Sequence, residues 1–125
     1  NINIIKTNNA PEAIGAYSQG VLFKGLIFTS GQVPINPETG ELVLGNFKDQ
    51  VSQVLKNIKN ILESKGSNEN KILKMTVYLT DLSNFNILND EFYKFFKDDF
   101  PARSVVEVVK LPKDAKIAIE AISSK

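Results

Sequence analysis

A chain of 125 residues is long enough to bury one hydrophobic core and too short for two, so we expect a single domain over residues 1–125. Fifteen Lys and Arg against fourteen Asp and Glu leave a net charge of +1, which gives no support to charge-driven binding of nucleic acid. The chain has no cysteine and no histidine, which excludes disulfides, thiolate catalysis and the commonest metal ligand and leaves arginine, carboxylates, tyrosine, hydroxyls and water for any chemistry.

The first third of the chain is predicted to form short strands joined by turns. The isoleucines of residues 2–5 indicate a first strand. A hairpin is predicted where Val21–Phe23 and Leu26–Ser30 flank Lys24–Gly25, because a two-residue break containing glycine suits a tight turn. Pro34–Gly40 is dense in turn-forming residues, and we expect an exposed loop there.

The middle of the chain predicts two amphipathic helices around one strand. From Asn46, a suitable N-cap, apolar residues recur at steps of three and four up to a glycine stop at Gly66. The same spacing from Phe85 to Phe96 predicts a second helix, which is preceded by the turn and cap Asp81–Ser83. Between the helices, apolar and polar residues alternate with the period of a strand, the apolar set being Leu73, Met75, Val77 and Leu79.

The C-terminal part predicts two further strands. Pro101 stops the second helix and starts a strand, which places Arg103 at the strand's beginning. In a buried strand the sheet would aim this guanidinium, whose rigid fork of donors matches a carboxylate or a phosphate. The alternative is a surface arginine at a strand end. After a turn at Leu111–Asp114, Lys116–Ile122 predicts the last strand.

The order strand, helix, strand, helix, strand predicts an α+β fold in which two helices cover one face of a mixed sheet. The C-terminal strands carry apolar residues on both sides, so the second sheet face would expose aliphatic surface. We therefore expect a second copy of the chain to cover that face in a closed homo-oligomer. No segment reaches a membrane-spanning length and the N-terminus lacks a signal-peptide layout, so we expect a soluble, cytoplasmic protein without a membrane partner.

Several separate motifs span nearly the whole chain: Ala13–Gln19, Thr29–Gln32, Pro101–Ser104 through Val108, Leu111–Lys113 and Ile119–Ala121. In this order they resemble the RidA/YjgF family of reactive-intermediate imine deaminases, some of which carry the label endoribonuclease L-PSP. The resemblance implies a chorismate-mutase-like α+β fold assembled as a homotrimeric barrel, with the helices outside and the sites between subunits. It also implies hydrolysis of enamine and imine acids such as 2-aminoacrylate and 2-iminobutanoate to 2-keto acids and ammonia, without a metal or an organic cofactor.

By the same resemblance, Arg103 would bind the substrate carboxylate and Tyr17 would close the cleft; as an alternative, Tyr17 is a core tyrosine with a satisfied hydroxyl. Ser30 and Gly31 would line the floor, although a plain strand end explains them equally. Asn89 is expected to support the site from the second helix, or to be an exposed helix residue. The remaining substrate-binding candidates are the neighbours of Arg103 in the strand, namely Ala102, Ser104 and Val105.

Three positions depart from the family pattern. Ala16 replaces a common proline, and Val105 stands where a cysteine is common, so a thiol is not essential here. Ala118 replaces the first carboxylate of a Glu-Ile-Glu-Ala pattern, the one credited with holding the hydrolytic water. Glu120 matches the second carboxylate; residues two apart on a strand share a face, so Glu120 either reaches the same cleft or serves as a salt-bridge partner.

These residues leave three functional hypotheses. The first is the imine deaminase, a catalyst with Arg103, Tyr17 and Glu120. The second takes Ala118 as decisive and describes an arginine-anchored sensor or carrier of small carboxylates with little turnover. The third is an endoribonuclease or translation inhibitor, which the absence of histidine and the weak net charge disfavour.

Overall fold

The computed structural model describes residues 2–125, which form a mixed sheet and two helices. The elements in chain order are β1 (Asn3–Ile5), β2 (Gly20–Phe23), β3 (Leu26–Thr29), β4 (Ile35–Asn36), β5 (Glu41–Leu42), α1 (Phe47–Glu63), β6 (Ile72–Leu79), α2 (Phe85–Phe96), β7 (Ala102–Glu107) and β8 (Ile117–Ser124). Strands β1, β2, β3, β8, β6 and β7 lie side by side in that order, and β4 pairs with β5 apart from them. Among the paired strands of residues 2–125, only β6 and β7 run parallel, and α2 forms the crossover connection that a parallel pair needs.

Both helices pack on one face of the six-stranded sheet, as predicted. From Met75 to Leu79 in β6 and along β8, every second residue points to this face and is buried, including Met75, Val77 and Ile119. The apolar stripe of α1 packs against them through Val51, Val54, Ile58, Ile61 and Leu62. The α+β expectation is therefore confirmed, and the hydrophobic core is the layer between the sheet and the two helices.

Local sequence signals set the ends of α1. The Asn46 side chain accepts a hydrogen bond from the backbone N–H of Asp49 at 2.9 Å, as an N-cap does. After the last helical turn, Gly66 adopts a φ of +79° and the N–H of Ser67 donates to the carbonyl of Leu62 at 3.1 Å. Both predicted helix signals are confirmed.

The predicted hairpin at Lys24–Gly25 is also confirmed. The two residues have φ angles of 50° and 79°, the left-handed conformations that a two-residue turn between twisted strands needs. Strands β2 and β3 pair in the antiparallel register that this turn imposes, with Val21 opposite Phe28. The hairpin matters for the site because it leads directly into Ser30 and Gly31.

Two local expectations are wrong. Pro34–Gly40 is not wholly an exposed loop: Pro34 is buried and Ile35–Asn36 forms β4, which the side-chain amide of Asn57 in α1 anchors by donating to the Ile35 carbonyl at 2.9 Å. Leu73 does not belong to the buried side of β6 and is 50% exposed. A β-bulge between Ile72 and Lys74 shifts the alternation, so Ile72 is the buried residue at that end of the strand.

No helix of residues 2–125 packs on the second face of the sheet, which we call the open face. Across β1, β2, β3 and β8 this face carries a row of apolar residues: Ile4, Val21, Phe28 and Ile122.

The expected site strand is not buried: β7 is the edge strand of the sheet, most of its residues are exposed, and Val109 lies beyond its end. Among residues 2–125, no helix has the length and apolar character needed to cross a bilayer.

Candidate functional site

Arg103 lies half-buried near the start of β7, where its guanidinium carbon is 5.3 Å from the ring centre of Phe85 and 5.0 Å from that of Phe92. Both rings come from α2, which packs over this end of the strand. Burial lowers the pKa of Arg103 from its ordinary value, while nearby Tyr93 opposes that shift. An arginine keeps its proton in proteins, so the site presents a partly desolvated cation.

No acidic side chain within residues 2–125 neutralises this cation: the salt bridges found there join Lys59 to Glu69, Lys94 to Glu91 and Lys110 to Asp114. The aromatic rings hold the guanidinium by cation–π contact and leave its N–H donors free for another acceptor. A planar anion such as a carboxylate is the acceptor that fits this fork of donors. The arrangement therefore corresponds to an anion-binding group.

A cleft of about 320 Å³ opens beside Arg103. Its walls are Asn89, Phe92, Tyr93, Phe100, Pro101 and Arg103. Asn89 of α2 is half-buried and lines this cleft. Tyr93 and Phe100 pack edge to face with ring centres 5.2 Å apart and form an aromatic wall that sequence reasoning missed. The helical spacing of residues 89, 92 and 93 could have indicated it.

The predicted neighbours of Arg103 separate into two groups. Arg103 pairs with Met75 and Val105 pairs with Val77, so both point toward the helices. Ala102 and Ser104 alternate with them and lie on the open face. The four residues predicted together around the substrate are thus divided by the strand itself, and only Val105 shares the side of Arg103.

Ser30 and Gly31 lie away from the Arg103 cleft, in a second region directly after β3. The Ser30 hydroxyl donates to the Ser18 carbonyl at 2.5 Å, and its backbone N–H donates to the Gln19 carbonyl at 2.9 Å. These bonds join Ser30 to the loop that carries Tyr17. Tyr17 and Gly31 line one pocket of about 200 Å³. Tyr17 is 52% exposed, so the alternative of a core tyrosine is wrong.

The loop before Ser30 is fixed by one buried side chain. The Gln19 side-chain oxygen accepts from the N–H of Thr7 at 2.7 Å, and its amide nitrogen donates to the carbonyls of Thr7, Ala10 and Pro11 at 3.0, 3.2 and 2.8 Å. Gln19 is 3% exposed, so these bonds form away from solvent. They hold the segment between β1 and β2, and with it Tyr17, against the body of the domain.

Glu120 lies in this second region, near Ser30 and Gly31. Gln32 and Ile119 form an isolated antiparallel bridge with N–H to carbonyl distances of 2.8 and 3.0 Å, so the chain at Gly31, one residue before Gln32, runs beside β8 near Glu120, one residue after Ile119. The Glu120 carboxylate accepts a hydrogen bond from the Tyr78 hydroxyl at 2.5 Å. Within residues 2–125 it forms no salt bridge. The sequence did not single out Tyr78, although it belongs to the residues of β6 that alternate with the apolar set.

Within one chain, the predicted site residues therefore form two separate groups. Arg103, Val105 and Asn89 lie on the helix side of the edge strand, whereas Glu120 lies on the open face close to Gly31. Thr76 of β6 pairs with both Ser104 and Glu120, which places the latter two on the same face. In residues 2–125 no group of three or more acidic side chains is arranged to hold a metal ion.

Comparison with known proteins identifies the family. The family model described as endoribonuclease L-PSP matches residues 7–125. A RutC family protein of Pyrococcus horikoshii is 49% identical over 122 residues, covering 98% of this chain and 97% of the relative. TdcF of Escherichia coli K12, whose name describes it as a reactive intermediate deaminase, is 45% identical over 123 residues, covering 96% and 95% of the two chains.

Solved structures agree with the sequence relatives. A Rid family protein, YyfA of Yersinia pestis, superposes with a TM-score of 0.98 at 46% identity over the whole of both chains. The crystal structure of E. coli TdcF with bound serine has a TM-score of 0.92 at 43% identity and covers 98% of each chain. Sequence, fold and motif order therefore agree, and this chain belongs to the RidA/YjgF family, whose model bears the name endoribonuclease L-PSP.

Proposed function

We propose that this protein hydrolyses small 2-imino acids, and the enamines that interconvert with them, to 2-keto acids and ammonia. The observation that carries the proposal is the position of Arg103, a partly buried cation at the edge of a cleft. The N–H donors of its guanidinium have no acidic partner within residues 2–125. Membership of the RidA/YjgF family supports a deaminase role in general, and TdcF, named as a reactive intermediate deaminase, is a relative at 45% identity.

The substrate carboxylate is the common feature of the proposed substrates. Arg103 binds it through two parallel hydrogen bonds, and this fixes the neighbouring imine carbon at the mouth of the cleft. The solved TdcF structure contains bound serine, a small molecule that carries the same carboxylate group. The aromatic walls from Phe92, Tyr93 and Phe100 contact the apolar part of the substrate and exclude water from the cation.

The reaction needs only water and proton transfers. A protonated imine is electrophilic, so water adds to its carbon, the C–N bond of the resulting carbinolamine breaks, and a 2-keto acid and ammonia leave. A group that orients the water and accepts its proton supplies the remaining catalysis. Glu120 is the carboxylate proposed for that role, with Tyr17 closing the site and the backbone of Gly31 lining it.

These roles require more than one copy of the chain. Arg103 and Glu120 lie on opposite sides of the same sheet, so we propose that a site forms where the edge strand β7 of one subunit meets the open face of another. A closed homotrimer, in which each subunit contributes both groups to different sites, satisfies this requirement and covers the apolar open face. The exposed aliphatic and aromatic side chains on that face support the proposal.

The test uses freshly generated 2-aminoacrylate and 2-iminobutanoate, produced in the cuvette by a pyridoxal-phosphate dehydratase acting on serine or threonine. The wild-type protein is expected to accelerate keto-acid release, and Arg103→Ala is expected to abolish the acceleration while the oligomer persists. Lys56→Ala, which removes an exposed cation from α1, is the matched control and keeps full activity. Undiminished turnover in Arg103→Ala would contradict the role of Arg103.

Ala118 supports a second candidate, a carboxylate-binding protein with little turnover. A methyl group at this position cannot hold a water, so the site would bind 2-keto acids through Arg103 without hydrolysing imines. Titration with 2-ketobutyrate does not separate the candidates because both bind it. Binding of 2-ketobutyrate without any acceleration of imine hydrolysis would establish the second candidate.

A further inference from the structure

We propose that Tyr78 is a positioning residue that orients the Glu120 carboxylate toward the hydrolytic water. This inference rests on the proposed function and adds a residue to its site. Tyr78 lies on β6 and Glu120 on β8, both on the open face, and the phenol hydroxyl donates to Oε1 of Glu120 at 2.5 Å. The pair thereby joins the neighbouring strands β6 and β8 on the open face.

The strand register makes this contact possible. Tyr78 stands directly opposite Ala118, and Glu120 stands opposite Thr76, so the hydrogen bond runs diagonally between neighbouring cross-strand pairs. Diagonal neighbours are about 7–8 Å apart at the backbone, a distance that a tyrosine spans and a shorter side chain does not. The methyl group of Ala118 leaves the space beside the ring unoccupied by a larger or charged side chain.

The hydrogen bond holds Glu120 in one orientation. Tyr78 occupies Oε1, and Oε2 has no hydrogen-bond donor within residues 2–125. With its carboxylate plane fixed, Glu120 presents Oε2 as a free acceptor on the open face. Glu120 also makes no salt bridge there, so no cation competes with a water for this oxygen.

Tyr78 keeps its proton while it holds the Glu120 carboxylate. The hydrogen bond to Glu120, then burial, then the carboxylate charge raise the pKa of Tyr78 above its ordinary value, so the phenol remains a donor at neutral pH. As water adds to the imine carbon, its proton passes to Oε2 of Glu120 and from there to the departing nitrogen. The phenol proton stays on Tyr78, and the carboxylate returns to its starting state.

Steady-state kinetics of imine hydrolysis test this role with four variants: Tyr78→Phe, Glu120→Gln, the double variant and Thr76→Val. Tyr78→Phe is expected to lower kcat about tenfold with little change in KM, because the carboxylate loses its fixed orientation while Arg103 still binds substrate. Glu120→Gln is expected to lower kcat further. The double variant should equal Glu120→Gln alone, because Tyr78 acts only through Glu120.

Thr76→Val is the matched control: it removes a hydroxyl from the same face of the same strand and should leave kcat unchanged. A merely structural Tyr78 would instead lower the oligomer mass, or its effect on kcat would multiply with that of Glu120→Gln. Either result, or wild-type kcat in Tyr78→Phe, overturns the proposal. If the Tyr78 result contradicts the proposal while Arg103→Ala loses activity in the same assay, the role of Tyr78 is wrong and the proposed function stands. If the wild-type protein shows no turnover, the proposed function itself fails.

Discussion

Arg103 and Glu120 lie on opposite sides of one sheet, although their strands, β7 and β8, are separated only by β6. Arg103 of β7 pairs with Met75 of β6, which in turn pairs with Ala121 of β8, so the Arg103 side chain shares the helix side with Ala121. Glu120, one residue earlier, points to the open face. A water beside the carboxylate and an anion bound to the guanidinium of the same chain would therefore be separated by the sheet.

The first prediction concerns the open face. Phe28 lies near its centre, between Val21 and Ile122, and is 38% exposed in the single chain. We expect analytical ultracentrifugation to give a mass several times the 13.9 kDa of one chain at micromolar concentration. Phe28→Asp should shift the protein toward that single-chain mass, because a charge buried between subunits has no partner.

Leu44→Asp is the control for this prediction. Leu44 is also a large apolar residue and is 94% exposed, but it follows β5 and lies outside the six-stranded sheet. Its substitution should leave the mass unchanged. A wild-type sedimentation mass equal to one chain would contradict the assignment of the open face as an interface.

The second prediction concerns the loop that carries Tyr17. Gln19→Ala removes the side chain that bonds to Thr7, Ala10 and Pro11, and leaves backbone groups there without partners. We expect the free energy of unfolding to fall by about 2 kcal/mol, within the range for unsatisfied buried groups. KM should also rise because Tyr17 is less well positioned. Urea denaturation and imine kinetics measure the two effects.

Gln53→Ala provides the comparison for Gln19. Gln53 is a partly buried glutamine of α1 whose amide donates one hydrogen bond to Asn57 at 2.9 Å. This variant should lose less stability than Gln19→Ala and should keep the wild-type KM. Equal losses in both variants would show that the loop does not depend on Gln19.

The third prediction is a pH dependence of the Tyr78 pair. Because the pKa of Tyr78 is raised above its ordinary 10.0, chiefly by the hydrogen bond to Glu120, the folded protein favours the neutral phenol. Its contribution to stability is complete below pH 10 and disappears as the pH rises through the raised pKa. In a background with Tyr17→Phe and Tyr93→Phe, ultraviolet absorbance should show phenolate forming above pH 10.

Glu120→Ala in the same background removes both the acceptor and the charge. The titration of Tyr78 should then move down toward its ordinary pKa. An identical titration curve with and without Glu120 would show that the two side chains do not interact in solution.

Local patterns predicted most of the fold. The three- and four-residue spacing of α1, its cap at Asn46 and the Lys24–Gly25 turn are signals carried within a few residues, and the structure confirms them. The errors arose where contacts distant in sequence decide. The bulge that exposes Leu73 depends on the pairing of β6 with β8, and β4 depends on Asn57 in α1.

The candidate site was only partly predictable for a related reason. Sequence order placed Ala102, Arg103 and Ser104 together, but strand alternation sends Arg103 to one face and its two neighbours to the other. Tyr78 could not be linked to Glu120 without the register of β6 against β8. The aromatic wall of Tyr93 and Phe100 likewise depends on how the chain turns after α2.

The most direct test of the shared site mixes two inactive chains. Arg103→Ala and Glu120→Gln, carrying different affinity tags, are co-expressed and the mixed oligomers are purified for the imine assay. If each site takes Arg103 from one subunit and Glu120 from its neighbour, every trimer that contains both chains has one intact site of three, about a third of the sites. We predict recovery of about that fraction of wild-type activity; a mixture that stays as inactive as its two components would contradict a site shared between subunits.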